Sequence, residues 1–152
     1  MSNTQAMCTS FMEQLLTGTH NFTPSTGDSF KAALYLASAT VNASTTAYSS
    51  TGEVTGTNYT PGGVAVTNGT APASTNASAT AGTAYWTPSA SITYTNVTLT
   101  TAFDAVLIYN SSKSDKAVSV HTFGSQTVTA GTFTLTMPTN NTTNALLRLA
   151  TT

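Results

Sequence analysis

The chain has 152 residues, of which only 6% are charged, with a net charge of −1. Ser and Thr make up about a third of it, so the surface is polar but nearly neutral. The length allows one domain, residues 1–152, with a real core, and the charge gives no electrostatic reason to expect nucleic acid or an acidic membrane as partner. A weakly charged surface protects poorly against self-association, which suits a protein that lives in an assembly; the plainer reading is a neutral, Thr-rich β-domain. The single cysteine, Cys8, excludes an internal disulfide framework. No apolar run approaches the roughly 20 residues of a membrane span. No basic segment followed by an apolar run marks the N-terminus as a secretion signal.

Residues 4 to 17 are the helix candidate. Cys8, Phe11, Met12, Leu15 and Leu16 recur at three- and four-residue spacing, Asn3 or Thr4 can cap the start, and Gly18 follows the end. Such a face either closes one end of its own β-domain or packs on a neighbouring subunit. His20 to Asp28 reads as a loop, broken by Pro24 and Gly27. Phe30 to Ser38 alternates as a strand, and residues 39 to 52 form a polar link anchored by Val41 and Tyr48. Glu53 to Tyr59 is a short strand interrupted at Gly56, Pro61-Gly62-Gly63 a turn, and Val64 to Thr67 the return strand of a hairpin. Residues 68 to 84 hold no large apolar residue and are expected as a low-complexity surface loop or arm. The lone Trp86, next to Tyr85, ends it and is expected as a core plug, with an interface anchor as the alternative.

Ser91 to Leu99 alternates as a further strand. Phe103 to Asn110 is almost continuously apolar, as in a strand buried on both faces, and Ala117 to Phe123 is its hairpin partner across a polar turn holding Lys113, Asp115 and Lys116. Gly124 to Ala130 reads as a connection, Gly131 to Met137 as a strand, and Ala145 to Ala150 as the last one. The fold class is therefore all-β: a roughly eight-stranded β-sandwich or jelly-roll-like domain with one short N-terminal helix. Asn21, Asn42, Asn58, Asn68, Asn76, Asn96, Asn110, Asn140 and Asn141 all stand in Asn-x-Ser/Thr patterns. With no secretion signal in view, they are read as turn and strand-end chemistry.

No constellation for catalysis emerges. Only His20 and His121 are candidates for a neutral-pH base. His121 lies mid-strand, and His20 sits in a loop with no acidic neighbour in sequence. Glu13, Asp28, Glu53, Asp104 and Asp115 are scattered without paired spacing. One cysteine and two histidines match no zinc pattern, and no calcium loop or Gly-rich phosphate cradle occurs. No catalytic residue, metal site or cofactor is expected.

Two blocks carry a resemblance. The first runs from Cys8-Thr9-Ser10-Phe11 and Leu15-Leu16 through His20-Asn21-Phe22 and Gly27-Asp28-Ser29-Phe30-Lys31-Ala32-Ala33-Leu34-Tyr35, on to Tyr48 and Glu53-Val54-Thr55-Gly56-Thr57-Asn58-Tyr59-Thr60-Pro61-Gly62-Gly63. The second holds Ala105-Val106-Leu107-Ile108-Tyr109-Asn110-Ser111-Ser112-Lys113-Ser114-Asp115-Lys116-Ala117-Val118, then Phe123-Gly124, Gly131-Thr132-Phe133-Thr134-Leu135 and Asn144-Ala145-Leu146-Leu147-Arg148-Leu149-Ala150. Outside residues 68 to 84, the chain resembles small virion proteins of tailed bacteriophages. The resemblance implies a capsid decoration (cement) protein, a β-rich domain on the outer face of the head, commonly a trimer, that contacts the major capsid protein and bridges capsomers. It assigns no functional residue. On this reading the expected contacts are the helix face of Phe11, Met12, Leu15 and Leu16, the arm at 68–84, and the turn with Lys113, Asp115 and Lys116. The alternatives are a tail, neck or fibre component, and a carbohydrate- or receptor-binding module with Tyr48, Tyr59, Tyr85 and Trp86 as its platform.

Overall fold

The computed structural model describes residues 2–76 and 78–151; Ala77, in the expected arm, and Met1 and Thr152, at the ends of the expected domain, lie outside the described residues. In chain order the elements are β1 (Ala6–Met7), α1 (Thr9–Leu16), β2 (Phe30–Leu36), β3 (Val64–Val66), β4 (Ala73–Thr75), β5 (Thr83–Trp86), β6 (Ile92–Asn110), β7 (Lys116–Leu135) and β8 (Leu147–Ala150). Five strands form an antiparallel sheet in the order β1-β7-β6-β2-β3, and three form a second in the order β4-β5-β8. The expectation of an all-β fold with eight strands and one short helix holds.

The two longest strands correct the sequence reading. β6 has 19 residues and β7 has 20, where shorter strands separated by connections were expected. Thr100-Thr101-Ala102 holds no Gly or Pro to stop β6. The polarity of Gly124 to Ala130 reflects an exposed ribbon, not a turn, since Thr and Val there favour strand. The pairing of β6 with β7 shifts register around Val97, Leu99 and Phe103, and Asn96 and Ala130 adopt φ of 53° and 46°. Such bulges bend and twist the strand that carries them.

The bend doubles the hairpin over. Phe123 and Phe133 are far enough apart in β7 to stand about 33 Å apart in a straight strand. Their rings are 5.3 Å apart, and Phe133 also lies 5.0 Å from Phe103, edge to face. Tyr94, opposite Phe133 in the ladder, stacks on Tyr59 and donates its hydroxyl to the Ala32 carbonyl of β2 at 2.7 Å. The near half of β6 is consequently covered on both faces: Ala105, Val106, Leu107, Ile108 and Tyr109 are all buried. This is the burial that a continuous apolar run predicts.

A buried acid organises the loop before β3. Glu53, 6% exposed, accepts hydrogen bonds from the Tyr48 hydroxyl at 2.6 Å, the Tyr59 hydroxyl at 2.8 Å and the Gly62 N–H at 2.8 Å. The Tyr59 oxygen accepts the Leu34 N–H at 3.0 Å, and the Tyr109 hydroxyl donates to the Gly62 carbonyl at 2.7 Å. Burial first, and then Glu53, hold the Tyr48 and Tyr59 hydroxyls above their ordinary pKa, so both remain donors at neutral pH. The expected strand from Glu53 to Tyr59 is absent. Glu53 turns inward, and the segment makes isolated bridges at Glu53 and Thr57, so β3 pairs with β2 instead. Gly63 has a φ of 74°, and a Cβ there would collide with the Ala32 carbonyl, so this turn requires glycine.

The Asn-x-Ser/Thr patterns serve turns at several positions. Asn21, Asn42, Asn110 and Asn141 each accept, through Oδ1, the N–H two residues on, at 3.0, 2.8, 3.1 and 2.9 Å. A short amide closing a turn on its own backbone is the reason Asn is favoured there. Within the expected loop or arm at 68–84, β4 and the start of β5 form strands.

Glu53→Ala leaves the buried Tyr59 hydroxyl, the half-buried Tyr48 hydroxyl and the buried Gly62 N–H without their acceptor. It should cost about 3 kcal/mol or more, measured by urea unfolding, because each orphaned group loses hydration without compensation. Glu53→Gln keeps one acceptor oxygen and should cost clearly less. Equal stability of Glu53→Ala and the parent would show that the cluster does not hold this loop.

Candidate interaction surface

α1 begins on a strand rather than a side-chain cap. The expected helix over 4–17 is corrected at its start: Ala6 and Met7 pair with Val120 and Ser119 of β7, and Cys8 precedes the helix without a capping side-chain bond. The sheet and the link after β2 do the work of a cap, because the Cys8 and Thr9 N–H groups donate to the Val118 and Ala43 carbonyls at 3.0 and 2.8 Å. Asn3 instead ties the chain start to the Leu36 carbonyl, Asp104 and the Val41 N–H. Cys8 is fully buried, and burial pushes its thiol up to about 11.

The helix splits the contact face expected from sequence. Phe11 is 2% exposed, its ring 5.0 Å from His20 and 5.9 Å from Phe22, so it is core and offers no contact surface. Leu15 is half-buried against the same core. Met12 and Leu16, one turn apart, face outward at 43% and 90% exposure. Phe11 and Met12 are adjacent and must point apart on a helix, which spacing counted along one stripe overlooked.

Between α1 and the small sheet lies an open cleft of about 300 Å³, whose walls include Phe22, Trp86, Leu147, Leu149, Pro72 and Leu15. Trp86 is buried as expected, and its indole N–H donates to Asn68 Oδ1 and the Thr70 carbonyl, both at 3.1 Å. Leu149, 45% exposed on β8, stands at the rim. Sequence reading placed Leu149 in a strand but not beside the helix, and it left Phe22 in a loop; no local signal joins these distant residues.

The hairpin turn is not a free tip. Lys113 pairs with Asp28 at 3.7 Å, and the Asp115 carbonyl accepts the Tyr48 N–H at 2.8 Å. The Lys113 and Asp115 side chains remain exposed, whereas Lys116 opens β7 half-buried. Asn110, fully buried behind the turn, donates to His20 Nδ1 at 2.9 Å and to Asp28 at 2.7 Å. His20 Nε2 meets Gln14 Oε1 at 2.7 Å, so the network assigns its proton to Nε2 and occupies both ring nitrogens. A ring bonded on both sides has no free site for a substrate proton.

His121 Nε2 lies 2.8 Å from the buried Ser119 hydroxyl. Among the described residues nothing hydrogen-bonds its other nitrogen, and burial pushes the ring down to about 4. The carboxylates do not gather either: among the described residues no group of His, Cys, Asp and Glu could hold a metal ion. The aromatics weighed as a sugar platform are also dispersed. Tyr59 and Trp86 are buried, and Tyr48 stacks on Tyr109 while bonding Glu53. Tyr85 is half-buried on the wall of the cleft, so three of the four rings weighed as a platform are packed into or against the core.

No protein-family model matches the chain, and comparison with curated proteins and with solved structures also found no match.

Both histidines resist protonation when folded. At His20 burial outweighs the attraction of Asp28, and at His121 burial alone lowers the ring from 6.5 to about 4. The unfolded chain binds these protons more readily, so stability is full above pH 6.5 and is lost as pH falls toward 4. His121 contributes at most about 3 kcal/mol of that loss. Urea midpoints between pH 7.5 and 4 should fall, and His121→Gln should flatten the decline. An unchanged slope in that variant contradicts the assignment.

Proposed function

We propose that this chain is a structural protein of a phage virion: a capsid decoration protein that docks on the outer face of the head, contacts the major capsid protein and bridges capsomers. The observation that carries the reading is an open apolar cleft between α1 and the small sheet with Leu149 at its rim, together with the outward-facing Met12 and Leu16 of α1, on a surface with very few charges. Exposed large apolar side chains and an open cleft lined by Phe and Trp are costly to leave in water and mark a docking surface. The resemblance of the two sequence blocks supplies the identity of the partner and the homo-oligomer, a trimer. The reading involves no enzyme chemistry, cofactor, nucleic acid or membrane. Both histidines are engaged or held neutral, which agrees with a protein that acts by contact.

The α1 surface is proposed to face the capsid lattice. Leu16→Asp and Leu149→Asp place charges at exposed positions, so each should leave folding stability within about 0.5 kcal/mol of the parent. Each should weaken binding to capsids lacking the protein by about tenfold or more, read by co-sedimentation. Binding at parental strength by both variants would sink this surface as the contact. Association with tails and not heads would move the protein to the tail, neck or fibre class.

A further inference from the structure

The outer edge of β7 is open over most of its length. β6 pairs with β7 as far as Leu135; on the other side Thr46 and Ala47 meet Ala117 and Lys116, the Cys8 N–H meets the Val118 carbonyl, and β1 pairs with Ser119 and Val120. The chain then leaves, drawn away by the bonds of Asn3 to Leu36, Asp104 and Val41. Past that point the Thr122 N–H reaches the Gln5 side chain at 3.4 Å. From Phe123 to Leu135, no described residue makes a backbone bond to this edge.

Open edges are normally blunted by charge, proline or a bulge. Here no residue between Lys116 and Arg148 is charged, and β7 contains no proline. The left-handed Ala130 bulge interrupts the edge, leaving Gly131–Leu135 as the run beyond it. In that run Thr132 and Thr134 are exposed, while Phe133 and Leu135 are half-buried. Beside it an open apolar cleft of about 350 Å³ is bounded by Phe123, Phe133, Leu135, Met137, Leu146 and Ile92. An added strand would satisfy the free backbone groups and cover this cleft, which are the two terms of strand addition.

We propose that residues 131–135 pair antiparallel with the same residues of a second copy of this chain, across a two-fold axis. An antiparallel edge is self-complementary under a two-fold rotation, so one segment supplies both partners. Neutrality allows it, since no like charges face each other across the axis. The segment is β-prone, uncharged and free of proline, the composition that pairs with its own kind. This contact is separate from the α1 surface and holds whether or not the protein sits on a capsid.

The test is self-association of the full chain, compared with the Thr132→Lys/Thr134→Lys double variant by sedimentation velocity. Both threonines are exposed, so the lysines leave the fold intact and set four like charges against one another in the pair. The parent should form an even-numbered assembly, a dimer or a pair of the proposed trimers, that strengthens with concentration, and the variant should weaken it by about tenfold or more. Amide exchange gives a second readout that needs no variant: amides within 131–135 should slow as parent concentration rises. Association that ignores the lysines, a parent monomeric at every concentration, or protection that arises only on adding capsids would each overturn the pairing.

Discussion

The fold depends on the bend in one hairpin. β6 and β7 are long enough to be a free ribbon, and a two-stranded ribbon alone is not stable in water. Bulges near Asn96 and Ala130 turn its far half back over the near half, so that Phe133 meets Phe103 and Phe123. Both layers around the near half of β6 then become possible with few other long strands. Tyr94 fastens the returning half to β2, and the short strands β1 and β3 complete the sheet. Without the bend, the apolar run from Ala105 to Tyr109 would lack cover on one face.

Polar groups in this fold are satisfied with little use of charge. Glu53 is held by two tyrosine hydroxyls and a backbone N–H, with no ion pair to a cation among the described residues. The His20, Asn110 and Asp28 cluster uses one amide to serve a ring and a carboxylate, and Lys113 adds a half-exposed ion pair. Burial pushes the Asp28 carboxyl up, but bonds from Asn110 and Asn21, with Lys113 close by, outweigh it and hold the group below its ordinary value. Ion pairs at exposed positions contribute little to stability. A chain that is 6% charged therefore loses little by building its interior clamps from Tyr, Asn and backbone.

Local patterns made the core elements legible. The apolar run at 103–110, the alternation at 30–36, the Pro61-Gly62-Gly63 turn and the buried Trp86 all follow from residue type and period. The merged strands were not legible, because exposed ribbon and surface loop share the same Thr-rich composition. The start of α1 was hidden for a different reason. Its cap is provided by Val118 and Ala43, and a partner that distant leaves no mark beside the helix. The surface around α1 was half legible: Met12 and Leu16 were found by spacing, Phe11 proved to be core, and Leu149 joined them only through the fold.

An assembly on a virion is proposed for this protein, and the feature that supports it is the outward apolar set of α1 and β8. The open, uncharged edge of β7 lies on a different element and bears on self-association alone. The most direct measurement is cryo-electron microscopy of purified particles made with and without this protein. The account predicts extra density at fixed positions on the outer head lattice, with α1 turned toward the capsid. Particles that contain the protein nowhere on the head would contradict it.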